Sequence, residues 1–347
     1  MTDTDRAQSP RRFRAAAVQA EPAWLDAAAG VAKTVDLIAE AARGGAQLIA
    51  FPEVWIPGYP HFLWLGPVAD QMPFVGRYHA GSPAVDGPEL TVIRRAARRH
   101  GITVALGYSE KDHGSLYISQ TVIAADGSVL LHRRKLKPTH VERTLFGEGD
   151  GSDLKVVDTP LGRLGALSCA EHVQPLSKYA LYAQHEQVHI ASWPCFGLYR
   201  DLAFQLSAEA NIAATQVYAI EGGAFVLMAT QIISPAGIDV FASTPEQRRL
   251  LTAGGGCSRI FAPDGRLITK ELDEGEEALV YADIDLDEID IAKNAYDPAG
   301  HYGRADATYL VHHRSPRPPV IVEGSSPQQP FPKFPVLDEE TEPDGVS

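Results

Sequence analysis

Leu164-Gly-Ala-Leu-Ser-Cys-Ala-Glu-His-Val-Gln-Pro-Leu176 joins an apolar, strand-like run to the start of a helix, and the change falls at Cys169. A thiol at a strand end faces a pocket while its backbone stays fixed. The next N–H groups, at a helix start, point towards any developing negative charge. Outward from this point the same alternation recurs. Leu154–Asp158 and Gly165–Cys169 read as strands, Pro175–His185 as a helix and Val188–Trp193 as a strand. A helix over Leu202–Thr215 follows, then strands at Val217–Gln231, Gly256–Phe261 and Ala278–Ile284.

Upstream, Phe13–Ala20 reads as a buried strand, and Val31, Val35, Ile38 and Ala42 recur at helical spacing until Gly44-Gly45 stops the helix. Ala46–Phe51 resumes as a strand and delivers Glu53 into a loop rich in Pro, Gly and aromatic residues. A helix over Pro88–His100 precedes strands at Ile102–Tyr108, Leu116–Ala124 and Val129–His132, the last two joined by the turn Asp126-Gly127. Lys135 follows that hairpin. Strand–helix alternation broken by hairpins implies an α/β fold with a mixed sheet and outer helices, not a pure doubly wound parallel sheet.

A chain of 347 residues that is 45% hydrophobic can bury one large layered core. Lys and Arg total 31 against 44 Asp and Glu, a net charge of −13, which argues against nucleic acid as a partner. No apolar run reaches the ~18 residues of a membrane helix, and Met1–Arg14 is polar rather than signal-like, so no membrane partner and a cytoplasmic location are expected. Three widely spaced cysteines, Cys169, Cys195 and Cys257, give neither a disulfide framework nor a zinc ribbon.

Two further segments complete a reactive set. Phe51-Pro-Glu-Val-Trp-Ile-Pro-Gly-Tyr-Pro60 offers a carboxylate, Glu53, among residues that desolvate it. Arg133-Arg-Lys-Leu-Lys-Pro-Thr-His-Val-Glu-Arg143, with Phe146-Gly-Glu-Gly-Asp-Gly151 behind it, offers ammonium groups and a second acid, Glu142. Along an extended segment Lys135 and Lys137 lie on the same side, so geometry alone does not separate them.

In this order the three segments resemble the nitrilase branch of the carbon–nitrogen hydrolase superfamily, from about Phe13 to about Ala307. The resemblance implies an α-β-β-α sandwich of two mixed sheets with outer helices. It assigns Glu53, Lys135 and Cys169 as the catalytic triad, with Glu142 acting directly or in support. The implied reaction takes a small-molecule nitrile to a carboxylic acid and ammonia through a Cys169 thioimidate and thioester, with no cofactor. The same triad on an amide would make an amidase or carbamoylase, and an aliphatic nitrile is the other alternative substrate. Most nitrilases carry Trp after the nucleophile, where this chain has Ala170. A small residue there followed by Glu-His resembles the arylacetonitrilase subgroup, with Trp55, Tyr59, Trp193 and Phe196 as candidate pocket walls. The family also implies a homo-oligomer, a dimer or a larger spiral, built through outer helices.

The expected organisation is a flexible segment 1–12, one hydrolase domain over 13–307 and an extension over 308–347, mobile from about 325. His185-Glu-Gln-Val-His189 fits a zinc-protease pattern, but the strand expected over Val188–Trp193 removes the shared helix face that the pattern needs. No metal is expected. Gly147–Gly151 lacks the Lys-Ser/Thr of a phosphate loop and reads as a tight turn beside the site.

Overall fold

The computed structural model describes residues 11–317 together with 334, 335 and 337. In chain order the elements are β1 (Arg12–Ala20), α1 (Ala27–Arg43), β2 (Leu48–Ala50), α2 (Val68–Gly81), α3 (Pro88–His100), β3 (Thr103–Asp112), β4 (Ser115–Ile123), β5 (Val129–Arg134) and β6 (Phe146–Gly147). They continue with β7 (Val156–Thr159), β8 (Gly162–Ser168), α4 (Pro175–Tyr182), β9 (Val188–Trp193), α5 (Ala208–Gly222), β10 (Phe225–Gln231), α6 (Pro235–Phe241), α7 (Pro245–Leu250), β11 (Arg259–Phe261), β12 (Ala278–Asp285) and α8 (Glu288–Ala295).

The strands form two mixed layers joined by a short seam. One layer runs β12-β1-β2-β3-β4-β5, with β1, β2 and β3 parallel and both flanks antiparallel. The other runs β11-β10-β9-β8-β7 with the same pattern, parallel through β10, β9 and β8 and antiparallel outside. The seam is the last two residues of β1, where Gln19 pairs with Thr230 and Ala20 with Gln231 of β10.

Burial follows from this arrangement. Between the layers lie alternate residues of both, including Ala15, Ala17, Leu48 and Ala105 against Ala166, Ile190, Leu227 and Ala229. The opposite face of the first layer (Ala16, Val18, Ile49, Val104) is covered by Ile38 and Ala41 of α1 and Leu90 and Ile93 of α3. That of the second (Leu167, Ala191, Val226, Met228) is covered by Leu181 of α4 and Tyr218 of α5. The architecture is the expected α-β-β-α sandwich.

Some boundaries differ from the sequence reading. The helix expected over Leu202–Thr215 begins only at Ala208, where Ser207 caps it by accepting from Ala210 N–H at 3.2 Å. It runs on to Gly222, so Val217–Gly222 is helical and the expected strand shortens to β10, with Gly223 at φ +55° ending the helix. Helix α4 stops at Tyr182, three residues early, and His185 turns the chain at φ +58°. Helices α2, α6, α7 and α8 were not foreseen. Arg12, the first residue of β1, falls inside the segment expected to be flexible. The tail expected to be mobile from about 325 lies outside the described residues apart from Phe334, Pro335 and Leu337, and Pro335 O accepts from Arg94 at 2.8 Å.

Candidate active site

Three strand ends on one edge of the sandwich bring the reactive groups together. After β2 the chain turns through Glu53, whose N–H donates to Trp193 O at the end of β9 (3.3 Å). Gln231 at the end of β10 donates its Nε2 to Glu53 O (2.6 Å), so the loop is tied to both layers. The close crossing requires Gly107 on β3, where a Cβ would lie 2.2 Å from Pro52 O. After β5, Lys135 N–H donates to Ile118 O (2.7 Å) and its carbonyl accepts from Gly149 N–H (2.8 Å). A Cβ on Gly149 would lie 2.5 Å from Arg134 O, so the glycine-rich turn packs against the lysine's strand by close backbone approach. After β8, Cys169 adopts φ +49° and begins a single tight turn.

The side chains converge. Lys135 Nζ donates to Glu53 Oε1 at 2.8 Å and to Glu142 Oε2 at 2.9 Å. One carboxylate oxygen each of Glu53 and Glu142 and the sulfur of Cys169 lie within 4.8 Å of one another. Glu53, Lys135 and Glu142 are buried, whereas the Cys169 residue is partly exposed. Two carboxylates and a thiol could ligate a cation, but the Lys135 ammonium already bridges the carboxylates and supplies the countercharge.

This geometry sets the proton affinities. Burial raises the Glu53 carboxyl to about 8, with Lys135 opposing and Glu142 reinforcing the rise. Burial alone would lower Lys135, but Glu142 and Glu53 hold it well above its ordinary value, so it stays an ammonium. Burial, then the charge of Glu53, pushes the Cys169 thiol up against the pull of Lys135, so the sulfur rests protonated and needs a base. Glu53 Oε2 has no hydrogen-bond partner among the described residues, which leaves it free for a proton.

Glu142 is held from three sides. It accepts from Tyr59 Oη (2.6 Å), from Thr139 N–H (2.6 Å) and from Lys135, while Tyr59 Oη accepts from Trp64 Nε1 (3.0 Å). Burial and Glu142 raise Tyr59 well above its ordinary value, which keeps it a donor. Lys137, the neighbouring rival of Lys135, is exposed and pairs with Glu148. Of the candidate pocket walls, Tyr59 reaches the cluster and Ala170 stands half-exposed beside the thiol. Trp193 and Phe196 pack as neighbours, ring centroids 5.7 Å apart, behind it. Trp55 does not come to the site. It is buried under α1 with its indole N–H on Thr34 Oγ1 at 2.8 Å. Cys195 and Cys257 are buried, and burial pushes both thiols up to about 12.

The structure adds residues that sequence reading missed. Glu171 accepts from Ser168 N–H (2.8 Å) with one oxygen, and from Leu136 N–H (3.0 Å) and Arg133 Nη2 (2.7 Å) with the other. It therefore links the lysine's strand to the cysteine's. Arg133 Nη1 continues to Gln120 Oε1 (2.6 Å), and Gln120 Nε2 to Ser192 Oγ (2.9 Å). Ser168-x-x-Glu171 is a helix-start signal of the capping-box type, and that signal was present in the sequence. In the zinc-like pattern His185 is exposed in the turn after α4 while His189 is buried on β9, so its two imidazoles share no helix face.

Residues 14–294 match the Carbon-nitrogen hydrolase family. The chain belongs to it. It is 51% identical over 309 residues to an aliphatic nitrilase from Rhodococcus rhodochrous, covering 89% of this chain and 84% of that protein. It is 49% identical over 312 residues to an arylacetone-specific nitrilase from Alcaligenes faecalis, covering 89% and 88%. Among solved structures, a carbon-nitrogen hydrolase from Helicobacter pylori G27 has a TM-score of 0.67 at 18% identity, covering 85% of this chain and 96% of that one, a likeness of fold. Within the family, the chain therefore sits with the nitrilases. No helix among the described residues is long and apolar enough to cross a membrane.

Proposed function

We propose that this carbon–nitrogen hydrolase converts a nitrile to its carboxylic acid and ammonia, with Cys169 as nucleophile. The observation that carries the reading is the buried Glu53–Lys135–Glu142 set closing on the Cys169 thiol. Glu53 takes the thiol proton as sulfur bonds to the nitrile carbon, and the same proton passes to nitrogen, giving a thioimidate. Water adds to the C=N bond, the C–N bond breaks, and protonated nitrogen leaves as ammonia. A second water then cleaves the thioester C–S bond, releasing the acid and restoring the thiol. A carboxyl near 8 suits this double duty, because it both accepts and returns a proton near neutral pH. Lys135, fixed as an ammonium, and Ala170 N–H stabilise the anionic centres. Glu142 holds Lys135 in place.

The substrate class within this reading is an arylacetonitrile. Ala170 leaves space beside the nucleophile for a substituted α-carbon, and Tyr59 lends an aromatic edge. The protein acts as a homo-oligomer, because Leu176 (69% exposed), Phe204 (61%) and Val217 (42%) leave apolar area on and beside α4 and α5. A reducing compartment, the cytoplasm, keeps Cys169 a thiol.

The test compares acid and ammonia release from phenylacetonitrile, mandelonitrile and a short aliphatic nitrile with that from phenylacetamide. Faster turnover of the aryl nitriles supports the reading, and turnover of the amide alone sinks it. Ala170→Trp should cut kcat/KM for mandelonitrile about 10-fold or more relative to the short nitrile. Unchanged ratios would remove residue 170 from the pocket.

A further inference from the structure

The His185–His189 run contains two buried residues that this chemistry leaves unused. Glu186 and His189 are each no more than 1% exposed. His189 Nδ1 lies 2.8 Å from Glu186 Oε1, and His189 Nε2 lies 3.0 Å from His172 Nε2. His172 Nδ1 lies 2.8 Å from the carbonyl oxygen of Cys169. Tyr218 donates to Glu186 Oε2 at 2.5 Å and stacks on His189, while Trp193 stacks on His172 with centroids 4.9 Å apart. A row of three polar side chains thus ends on the backbone of the nucleophile.

Each proton in the row has one place. A carbonyl only accepts, so His172 Nδ1 carries a hydrogen. Burial, with His189 beside it, holds His172 well below its ordinary value, so its ring is neutral and Nε2 accepts from His189 Nε2–H. Burial keeps His189 neutral too, so its Nδ1 accepts in turn. Glu186 must then donate, and burial raises its carboxyl to about 8, protonated at neutral pH.

The end of the row matters because Cys169 C=O and Ala170 N–H are opposite ends of one planar peptide unit. Cys169 sits at φ +49°, in the left-handed region that residues other than glycine seldom adopt, so local preference does not fix that unit. The Ala170 N–H beside the nucleophile is one of the groups that oppose the rise of the Cys169 thiol. A donor on the carbonyl locks the plane and polarises the N–H at its other end.

We propose that His172, backed by His189 and Glu186, is a positioning residue that sets the Cys169–Ala170 peptide plane and so aims Ala170 N–H at the charge developing on the substrate. The inference rests on the nitrilase reading for the reaction it serves. It concerns the thiol hydrolase step common to nitriles and amides.

The test uses His172→Phe, which keeps the ring and loses the donor, and His172→Asn, whose side-chain N–H sits near the place of Nδ1. His189→Phe and His189→Gln form the same contrast one step back, since Gln places an N–H near Nε2. The readouts are kcat and KM for phenylacetonitrile, and the rate at which iodoacetamide alkylates Cys169, a reaction that builds no oxyanion. His172→Phe should lower kcat about 100-fold, with KM and alkylation changed less than about threefold. His172→Asn should recover most of that loss, and His189→Gln should exceed His189→Phe. If His172→Phe fails to fold, the His189 pair carries the same expectation. A folded His172→Phe with near-normal kcat, an Asn variant no better than Phe, or alkylation falling in step with kcat would each overturn the proposal. Wild-type protein that turns over phenylacetamide but no nitrile would refute the nitrile reading instead, and the same comparison would then be made on the amide.

Discussion

Two turns with the same local chemistry end β5 and β8, and they serve different ends. Thr139-x-x-Glu142 and Ser168-x-x-Glu171 each bend a glutamate back onto the N–H three residues earlier, at 2.6 and 2.8 Å. Glu142 then reaches inward, to Lys135 and Tyr59 beside the thiol. Glu171 reaches behind the site, to Arg133 and Leu136 N–H. One carboxylate is paired with the buried ammonium beside the thiol. The other fixes the distance between the strands that carry the lysine and the cysteine. A shared capping rule therefore places a carboxylate without settling its function, and the cation it finds decides that.

The largest expected effect lies on the reactive side of this comparison. Glu53→Gln and Lys135→Met should each lower kcat by about 10³-fold or more while leaving a folded protein, since one removes the proton carrier and the other the ammonium at the anionic centre. Lys137→Met, at an exposed ion pair, should leave kcat unchanged. A reversed outcome would move the reactive ammonium two residues along the chain.

Next comes the structural turn. Glu171→Ala leaves Arg133 buried without its carboxylate and should cost about 3–5 kcal/mol in urea unfolding. Burial opposes ionisation of Glu171, yet Arg133 and two backbone N–H groups hold it below its ordinary 4.5. Its stabilisation is therefore present above pH 4.5 and lost as pH falls through the lower folded value, which a pH series of unfolding midpoints would show. Loss of activity without loss of stability would contradict the division of labour between the two turns.

The smallest effect belongs to Glu142→Gln, whose one carbonyl oxygen can keep accepting from Lys135 and Thr139 N–H while the charge is removed. That charge helps raise Glu53, so neutralising it should lower the Glu53 value and move the rising limb of the kcat/KM profile from about 8 to lower pH. The rate should fall about 10-fold or less if Glu142 supports Lys135. An unmoved limb with a collapse of rate would make Glu142 a direct proton carrier instead.

What the sequence disclosed follows from how local each signal is. Glu53, Lys135 and Cys169 each follow a strand-like run, but it was the resemblance to the nitrilase branch, not their spacing, that implied they act together, whereas α3 matched its expected Pro88 and His100 boundaries from local signals alone. Helix α5 was misplaced because it is apolar on several sides, and Val217-Tyr-Ala-Ile220 reads as strand until Gly222-Gly223 is taken as the stop. Helix α2 carries Pro73 inside it and buries few side chains, so no face stood out. Lys135 and Lys137 share a side on any extended segment, and only the fold buries the first beside Glu53 and exposes the second. The His172–His189 contact was out of reach because the pairing of β8 with β9, not sequence spacing, brings it about. Trp55 was expected as an aromatic wall of an arylacetonitrile pocket, but the left-handed turn at Val54 sends it into the core under α1.

The most direct test of the central claim is to quench the enzyme during turnover of phenylacetonitrile and map any covalent adduct by mass spectrometry, beside Cys169→Ala. The expected result is an adduct on the Cys169 peptide bearing the mass of the whole nitrile or of its acyl group, and a folded Cys169→Ala protein that forms neither adduct nor acid. Acid from Cys169→Ala, or an adduct on Cys195 or Cys257, would contradict it.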